Sequence, residues 1–434
     1  MMTNKINTTA ASAVLGCVAD DVTGATDLAI NLAQGGMRVI QWLEIPTLDD
    51  LQVHAVDAVV VALKTRSIAP SDAISQSMAA IEVLRDHGCQ RFYFKYCSTF
   101  DSTEQGNIGP VAEAMMDALD VKQTIFCPAF PRAGRTVYQG HLFVGDALLN
   151  ESGMQNHPLN PMQDANLVRF LTHQVTRPVG RLSYRDLADV GRATESLQTQ
   201  QLDGIAHVVV DCVDDSQLQT IAAAVSDMPL VTGGSGLARY LGEAYRKSGL
   251  VDEHRAASKL PSIPGRSLIL SGSCSQATNR QVAKAKSFCS TWQLDVLEIA
   301  RDPSGYQRRL AAWAEACDPR RPLLIYSTDD PEGVRSVQQA LGQTEAAQVI
   351  ESFLGKVAMD LTTDVGVRRL VVAGGETSGA VVRDLGIRAL KIGPEICAGV
   401  PWTQSIGTQP LAIALKSGNF GDDNFFHTAL EMLA

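Results

Sequence analysis

Short apolar runs alternate with stretches of helical spacing along most of this chain, and the alternation predicts an α/β fold. Ala13–Ala19, Arg38–Ile45, Ala58–Leu63, Arg91–Cys97 and Gln123–Phe130 are each short enough for one buried strand, and Ser71–His87 and Val111–Leu119 between them have helical spacing. Strand, helix, strand in this order is the signature of a mostly parallel sheet. His207–Val213 and Pro229–Thr232 read as further buried strands, whereas Gly140–Asn160 reads as loop. His157 falls in the crossing loop Asn156–Pro161, where a structural role is expected of it.

The periodicity stops in a polar stretch, Lys247–Arg266, that contains Pro261, Pro264 and Gly265, and then restarts. Ser267–Leu270, Leu294–Ile299, Pro322–Tyr326, Arg369–Ala373 and Leu411–Leu415 are the clearest later strands. A chain of 434 residues with 45% hydrophobic content exceeds the size at which one core keeps growing. The expected organisation is two α/β domains, each with a mostly parallel sheet, over residues 12–250 and 267–434, with a linker at 251–266 and the active site in the cleft between them.

Composition narrows the function. The formal net charge is −10, with acids and bases mixed and no basic run, which argues against nucleic acid as a partner. The eight histidines lack His-Glu-x-x-His spacing and the nine cysteines form no Cys-x-x-Cys pair, so no metal-ligating residues are predicted and the thiols read as reduced core groups. Met1–Ala11 reads as a disordered polar tail, and the apolar stretch after it is too short for a signal peptide or membrane span. The expectation is a soluble cytoplasmic protein with no membrane partner; homo-oligomerisation is left open.

Candidate chemistry gathers just after the strands. The first run ends in Asp20-Asp21-Val22-Thr23-Gly24-Ala25-Thr26-Asp27, before a helical pattern carried by Leu28, Leu32 and Ala33. Asp21 or Thr23 is placed to cap that helix, and the N–H groups near Gly24 and Ala25 are placed to hold an anion. Lys64-Thr65-Arg66-Ser67, Lys95 through Ser98 and Asp101, and Pro131 through Arg135 follow the next strands, on the same rim if the sheet is parallel. Carboxylates, hydroxyls, lysines and arginines together suit a small polyhydroxylated acid. Gly233-Gly234-Ser235-Gly236 offers either an anion site or close packing, since Arg239 stands where a third Rossmann glycine belongs.

Three second-domain strands end in small-residue turns: Ser271–Ser275, Gly374-Gly375-Glu376-Thr377-Ser378-Gly379 and Lys416-Ser417-Gly418. Glycines admit a ligand close to the backbone, and hydroxyls at Ser273, Thr377 and Ser378 near helix starts suit a polyphosphate. A Walker P-loop is absent. A dinucleotide-dependent dehydrogenase would need a Gly-x-Gly-x-x-Gly that is also missing, and a non-catalytic sugar-acid binding protein has no need of three such turns.

Ala19–Asp27, Phe94–Thr103, Val231–Leu237, Leu270–Ser275, Ala373–Ser378 and Leu415–Gly421 together resemble the four-carbon acid sugar kinases, and Ala25-Thr26-Asp27 with Gly140–Gly145 is most similar to the 3-oxo-tetronate 4-kinases among them. The resemblance implies a sugar-acid domain followed by an ATP domain, with the γ-phosphoryl group passed to the terminal hydroxyl of 3-oxo-tetronate. Threonate and erythronate are the alternative acceptors. It also implies ATP contacts at Ser273, Gly375–Ser378 and Gly418. Combined with the strand-end clusters, the expected catalytic residues are Asp20 and Asp21. Substrate contacts are expected at Asp20, Asp21, Thr23, Gly24, Arg66, Lys95, Ser98, Asp101 and Arg135, and nucleotide contacts at Ser273, Gly374, Gly375, Glu376, Thr377, Ser378, Lys416 and Gly418. Mg²⁺ is expected to bridge the phosphates with few protein ligands.

Overall fold

The computed structural model describes residues 12–433 apart from 53, 157–159, 253–259, 261, 330 and 408. The tail Met1–Ala11, His157 and much of the 251–266 stretch therefore lie outside the described residues. The chain divides into two compact units, Met1–Ser258 and Lys259–Ala434.

The first unit contains β1 (Leu15–Ala19), α1 (Val22–Gln34), β2 (Val39–Trp42), α2 (Leu48–Gln52), β3 (Ala58–Ala62), α3 (Pro70–Asp86), β4 (Arg91–Lys95), α4 (Ile108–Ala118) and β5 (Thr124–Cys127). It continues through β6 (Arg135–Tyr138), β7 (His141–Val144), β8 (Ala147–Leu148), α5 (Leu167–Thr172), β9 (Val179–Leu182), α6 (Val190–Leu202), β10 (His207–Val210), α7 (Asp215–Ala224), β11 (Leu230–Gly233) and α8 (Ala238–Lys247). The main strands lie in the order β2-β3-β1-β4-β11-β5-β10-β9. Every pairing among them is parallel. β1, β3, β5, β10 and β11 are buried along their whole length, which is why they read as unbroken apolar runs rather than alternating ones.

The second unit contains β12 (Arg266–Ser271), α9 (Gln276–Ala285), β13 (Ser290–Gln293), α10 (Val296–Arg301), α11 (Pro303–Ala316), β14 (Leu323–Tyr326), α12 (Pro331–Leu341) and α13 (Gln343–Asp364). After these come β15 (Val367–Ala373), α14 (Gly375–Asp384), β16 (Ala389–Cys397), β17 (Val400–Ser405), β18 (Ala412–Lys416) and α15 (Phe425–Glu431). Its sheet runs β13-β14-β12-β15-β18-β17-β16. It is parallel from β13 to β18 and antiparallel at β17 and β16. Trp402, Phe425 and Phe426 fill the core under one face, and Trp402 Nε1 donates to the Ala429 carbonyl at 2.8 Å. Both units are therefore α/β with a mostly parallel sheet.

Two segments depart from the sequence reading. Gly140–Asn160 is not wholly loop: β6, β7 and β8 form a small antiparallel sheet. The turn between β6 and β7 is Gln139-Gly140, with φ of 50° and 74°, the two-residue hairpin turn that needs positive φ at both positions. Strands of two to four half-buried residues leave too little apolar pattern to read. Leu294–Ile299 is not a strand either; the strand is the polar, largely exposed Ser290–Gln293 before it. Asp295 Oδ1 accepts from Glu298 N at 2.9 Å and starts α10, so Leu-x-Val-Leu-x-Ile is the beginning of a capped helix. Among the described residues no helix is long and apolar enough to cross a membrane.

Candidate active site

In the first unit β1 lies between β3 and β4. The helices after β1 and β4 diverge, α1 packing with α8 and α4 packing with α3. The carboxyl ends of β1 and β4 thus flank a topological switch point, the usual ligand crevice of an open parallel sheet. Asp20 and Asp21 leave β1 there, and Lys95 closes β4.

Arg66, in the loop after β3, joins these groups. Its Nε and Nη2 donate to Asp20 Oδ2 and Oδ1 at 2.9 and 2.8 Å, and Nη2 also meets Asp21 Oδ1 at 2.5 Å. Its Nη1 lies 3.9 Å from Asp101 Oδ2. The loop is fixed by Asn107, whose Nδ2 donates to the carbonyls of Thr65 and Ile68 at 2.7 and 2.9 Å. Burial pushes the Asp20 carboxyl up, and the hydrogen bonds and charge of Arg66 pull it back. The guanidinium, surrounded by carboxylates, is held protonated.

Asp21 has a second task. It is the extended N-cap of α1, and Gly24 N donates to its Oδ1 at 3.1 Å while Ala25 N donates to its carbonyl at 3.0 Å. The two amides expected to hold an anion therefore serve the cap. Gly24 contributes space instead: a Cβ there would lie 2.9 Å from Lys95 Nζ and 2.3 Å from Asp21 Oδ1. Lys95, buried, donates to the Tyr96 carbonyl at 2.6 Å. Asp101 Oδ1 accepts from Thr99 Oγ1 at 2.5 Å, and the preceding Phe100 has φ of 54°, a strained value for a bulky residue. Thr23 is exposed on the first turn of α1, and Ser98 is half-buried after β4. Arg135 opens β6, with Nη1 on the Ala133 carbonyl and a buried Nε that has no hydrogen-bond partner among the described residues.

Gly233-Gly234-Ser235-Gly236 is a packing strip. Added Cβ atoms at Gly233, Gly234 and Gly236 would come within 2.4, 2.8 and 2.6 Å of the carbonyl oxygens of Cys127, Pro128 and Ala129. Ser235 between them is buried, and its hydroxyl has no hydrogen-bond partner among the described residues.

The second unit carries a different kind of site. β12, β15 and β18 are neighbours, so the turns after them share one rim, and a pocket of about 680 Å³ opens there. Ser273, Gly374, Gly375, Glu376, Thr377 and Gly418 line it. α14 begins at Gly375 without a side-chain cap, after Gly374 at φ of 130°. A Cβ on Gly375 would meet nothing within 4 Å, so the open first turn presents backbone N–H groups to an anion. The Gly418 carbonyl accepts from Ser275 Oγ, Thr278 Oγ1 and Lys416 Nζ at 2.7, 2.7 and 3.0 Å. A Cβ on Gly418 would lie 2.4 Å from Ser273 Oγ.

Lys416 and Ser378 are not on the pocket wall. Lys416 is 1% exposed, and among the described residues no carboxylate is a hydrogen-bond or ion-pair partner of it; Nζ contacts Thr278 Oγ1 and the carbonyls of Ser417 and Gly418. Burial lowers it from 10.5 to about 8. The remaining wall was missed by sequence reasoning: Leu294 and Val296, Val334 and Val337 of α12, and Ala346 and Ile350 of α13 give an apolar surface, and Ser327 and Asp329 follow β14. Among the described residues no group of three or more acids, histidines or cysteines could hold a metal ion. Glu376 and Glu351 both line the pocket, and burial and then the neighbouring Glu376 raise the Glu351 carboxyl.

Residues 15–241 match the family described as sugar-binding N-terminal domain, and residues 268–426 match the family described as nucleotide-binding C-terminal domain. A 3-oxo-tetronate kinase of Cupriavidus necator is 50% identical over 423 residues, which cover 97% of each chain. A 3-oxo-tetronate kinase of Pseudomonas fluorescens is similar to the same extent, 50% over 423 residues and 97% of each chain. The crystal structure of a Haemophilus influenzae protein, 42% identical, superposes with a TM-score of 0.89 and covers 96% of this chain and 100% of that one. Matched along nearly its whole length in both halves, the chain belongs to the four-carbon acid sugar kinase family.

Proposed function

We propose that this chain is an ATP-dependent kinase that phosphorylates the terminal C4 hydroxyl of 3-oxo-tetronate, giving 3-oxo-tetronate 4-phosphate in the cytoplasmic catabolism of four-carbon acid sugars. The observation that carries the reading is the 50% identity, over 97% of the chain, with relatives named 3-oxo-tetronate kinase. The two sites are chemically suited to it. In the first unit Arg66 and Lys95 take the carboxylate and Arg135 a further substrate oxygen, Asp20 and Asp21 hold Arg66 in place, and Thr23, Ser98 and Asp101 take hydroxyls. In the second unit the open N-terminus of α14 with Ser273 and Thr377 takes phosphates, Gly374 and Gly418 let them approach, and the apolar wall takes the base.

Mg²⁺ bound with ATP would neutralise phosphate charge, and Glu376, beside Glu351, is the carboxylate placed to hold it; one or two protein carboxylates are what such an ion needs. The rest of catalysis is positioning and charge. Transfer requires the acceptor hydroxyl and the γ-phosphoryl group in contact, so the reading requires the two units' sites to meet during turnover.

The test is ADP release, by a coupled assay, with 3-oxo-tetronate, threonate and erythronate of both enantiomeric series. We expect the highest kcat/KM with 3-oxo-tetronate. A higher value with threonate or erythronate moves the substrate within the family, and no ADP release with any of them ends the kinase reading.

A further inference from the structure

Four carboxylates stand near the end of β1 and β4, and they are not equivalent. Both oxygens of Asp20 are bound by Arg66. Asp21 Oδ1 is divided between Arg66 and the Gly24 amide. Asp101 is engaged by Thr99 and faces Arg66 at 3.9 Å. A carboxylate locked to a guanidinium by two hydrogen bonds is a poor proton acceptor, because taking the proton breaks the pair and leaves the cation unmatched.

Asp27 is different. It sits one turn beyond Gly24 on α1, and the one side chain that donates to it in ordinary geometry is Asn31, Nδ2 to Oδ1 at 3.2 Å. The charged groups facing it are Lys95 from β4, Arg135 from β6 and Asp21 from the helix cap. Near it is Ser235, 1% exposed, whose hydroxyl favours the ionised carboxylate. The buried Nε of Arg135 has no hydrogen-bond partner among the described residues. Unmatched buried donors are costly in a native fold. An unmatched guanidinium nitrogen near a carboxylate that no arginine locks matches a ligand that accepts and donates at adjacent atoms, as a hydroxy acid does.

Resting on the kinase reading, we infer that Asp27 is the proton acceptor of the reaction, touching the substrate hydroxyl that is phosphorylated while Ser235 and Arg135 hold neighbouring oxygens. In the step, the hydroxyl O–H bond breaks and its proton passes to the Asp27 carboxylate as the oxygen bonds to the γ-phosphorus. The bond from that phosphorus to the β,γ-bridging oxygen breaks, and its electron pair leaves with ADP. Burial raises the Asp27 carboxyl, which strengthens it as a base, while Lys95, Arg135 and Ser235 oppose that rise and favour the ionised form.

The test compares wild type, Asp27→Asn, Asp27→Glu and Asp20→Asn by ADP release with saturating ATP and 3-oxo-tetronate across pH, with thermal melts alongside. Asp27→Asn is expected to lower kcat by about 10²- to 10⁴-fold, to leave KM for ATP within about twofold, and to abolish the low-pH limb of the kcat profile. Asp27→Glu should keep part of the rate and move that limb, and Asp20→Asn should keep the limb where it is. If Asp27→Asn retains the wild-type limb, or kcat within about threefold, the inference is overturned. If Asp27→Asn does not fold, the Glu variant decides, and an unmoved limb overturns the inference. A wild-type protein that releases no ADP with any four-carbon sugar acid overturns the function and the inference together, whereas an active enzyme indifferent to Asp27 overturns the inference alone.

Discussion

The two units solve the same electrostatic problem in opposite ways. At the end of β1, half-buried Arg66 is surrounded by Asp20, Asp21 and Asp101, so the first unit matches this cation with its own carboxylates. At the end of β18, Lys416 is more deeply buried than Arg66 and is surrounded by neutral oxygens. The charge of Arg66 is matched before any ligand arrives, whereas that of Lys416 is matched by no carboxylate among the described residues. The difference suits a weakly charged sugar acid in one unit and a polyphosphate in the other.

The largest expected effect breaks that contrast directly. Arg66→Ala leaves Asp20, 4% exposed, without its partner and beside a second acid. Removing one member of a buried pair costs about 3–5 kcal/mol. Lys416→Met removes a buried charge that no carboxylate pairs with among the described residues, and should be neutral or mildly stabilising at pH 7. Denaturant melts of the two variants should therefore move in opposite directions or differ by several-fold. Equal losses would mean that Lys416 has an anionic partner after all, or that Arg66 has none that matters.

The second prediction sharpens the contrast through pH. Lys416 titrates at about 8 in the folded chain against 10.5 ordinarily, so between those values the unfolded chain binds more protons. The free protein should gain stability as pH rises through that window, by an amount on the order of a few kcal/mol, and the cost of the buried charge is fully present below about pH 8. ATP affinity should move the other way, falling by up to about tenfold per pH unit above 8 as the ammonium is lost. Calorimetry with ATP·Mg²⁺ from pH 7 to 9.5 reads it, and Lys416→Met should flatten the profile. A wild-type affinity independent of pH would separate Lys416 from the nucleotide.

Much of this frame was legible in the sequence. Ala58–Leu63 and Leu370–Ala373 are continuous apolar runs, as strands buried on both faces produce, so the rims where Asp20, Arg66 and Gly374 stand followed from strand direction. What escaped depends on contacts distant in sequence. Nothing local says that Arg66 closes on Asp20, 46 positions away, or that Val334 and Ile350 share a pocket wall with Gly375. Ser290–Gln293 escaped for another reason: an edge strand of four residues whose one apolar side chain is Trp292 gives no run to read.

A smaller effect is expected at Gly418. Gly418→Ala places a methyl group 2.4 Å from Ser273 Oγ, and that hydroxyl must rotate away from the pocket. A displaced polar contact is worth about 1–1.5 kcal/mol, or roughly tenfold in KM for ATP, with KM for the sugar acid unchanged. Steady-state kinetics with each substrate varied in turn would show it, and an equal rise in both constants would point to general loosening of the fold.

The smallest effect tests whether the second site is built for a ligand down to single hydroxyls. Ser327 follows β14 on the pocket wall, is 8% exposed, and its Oγ has no hydrogen-bond partner among the described residues. If the hydroxyl serves only the fold, it is a buried polar group without compensation, and Ser327→Ala should stabilise the free protein slightly with no change toward ATP. If it serves the nucleotide, the same substitution leaves the free protein within about 0.5 kcal/mol of wild type but weakens ATP by about 1 kcal/mol, roughly fivefold in Kd. Melting with and without ATP separates the two, because a lost ligand contact shrinks the nucleotide-induced rise in Tm while leaving the free Tm in place. We expect the smaller rise. An unchanged rise would confine nucleotide recognition to the three glycine turns and the apolar wall.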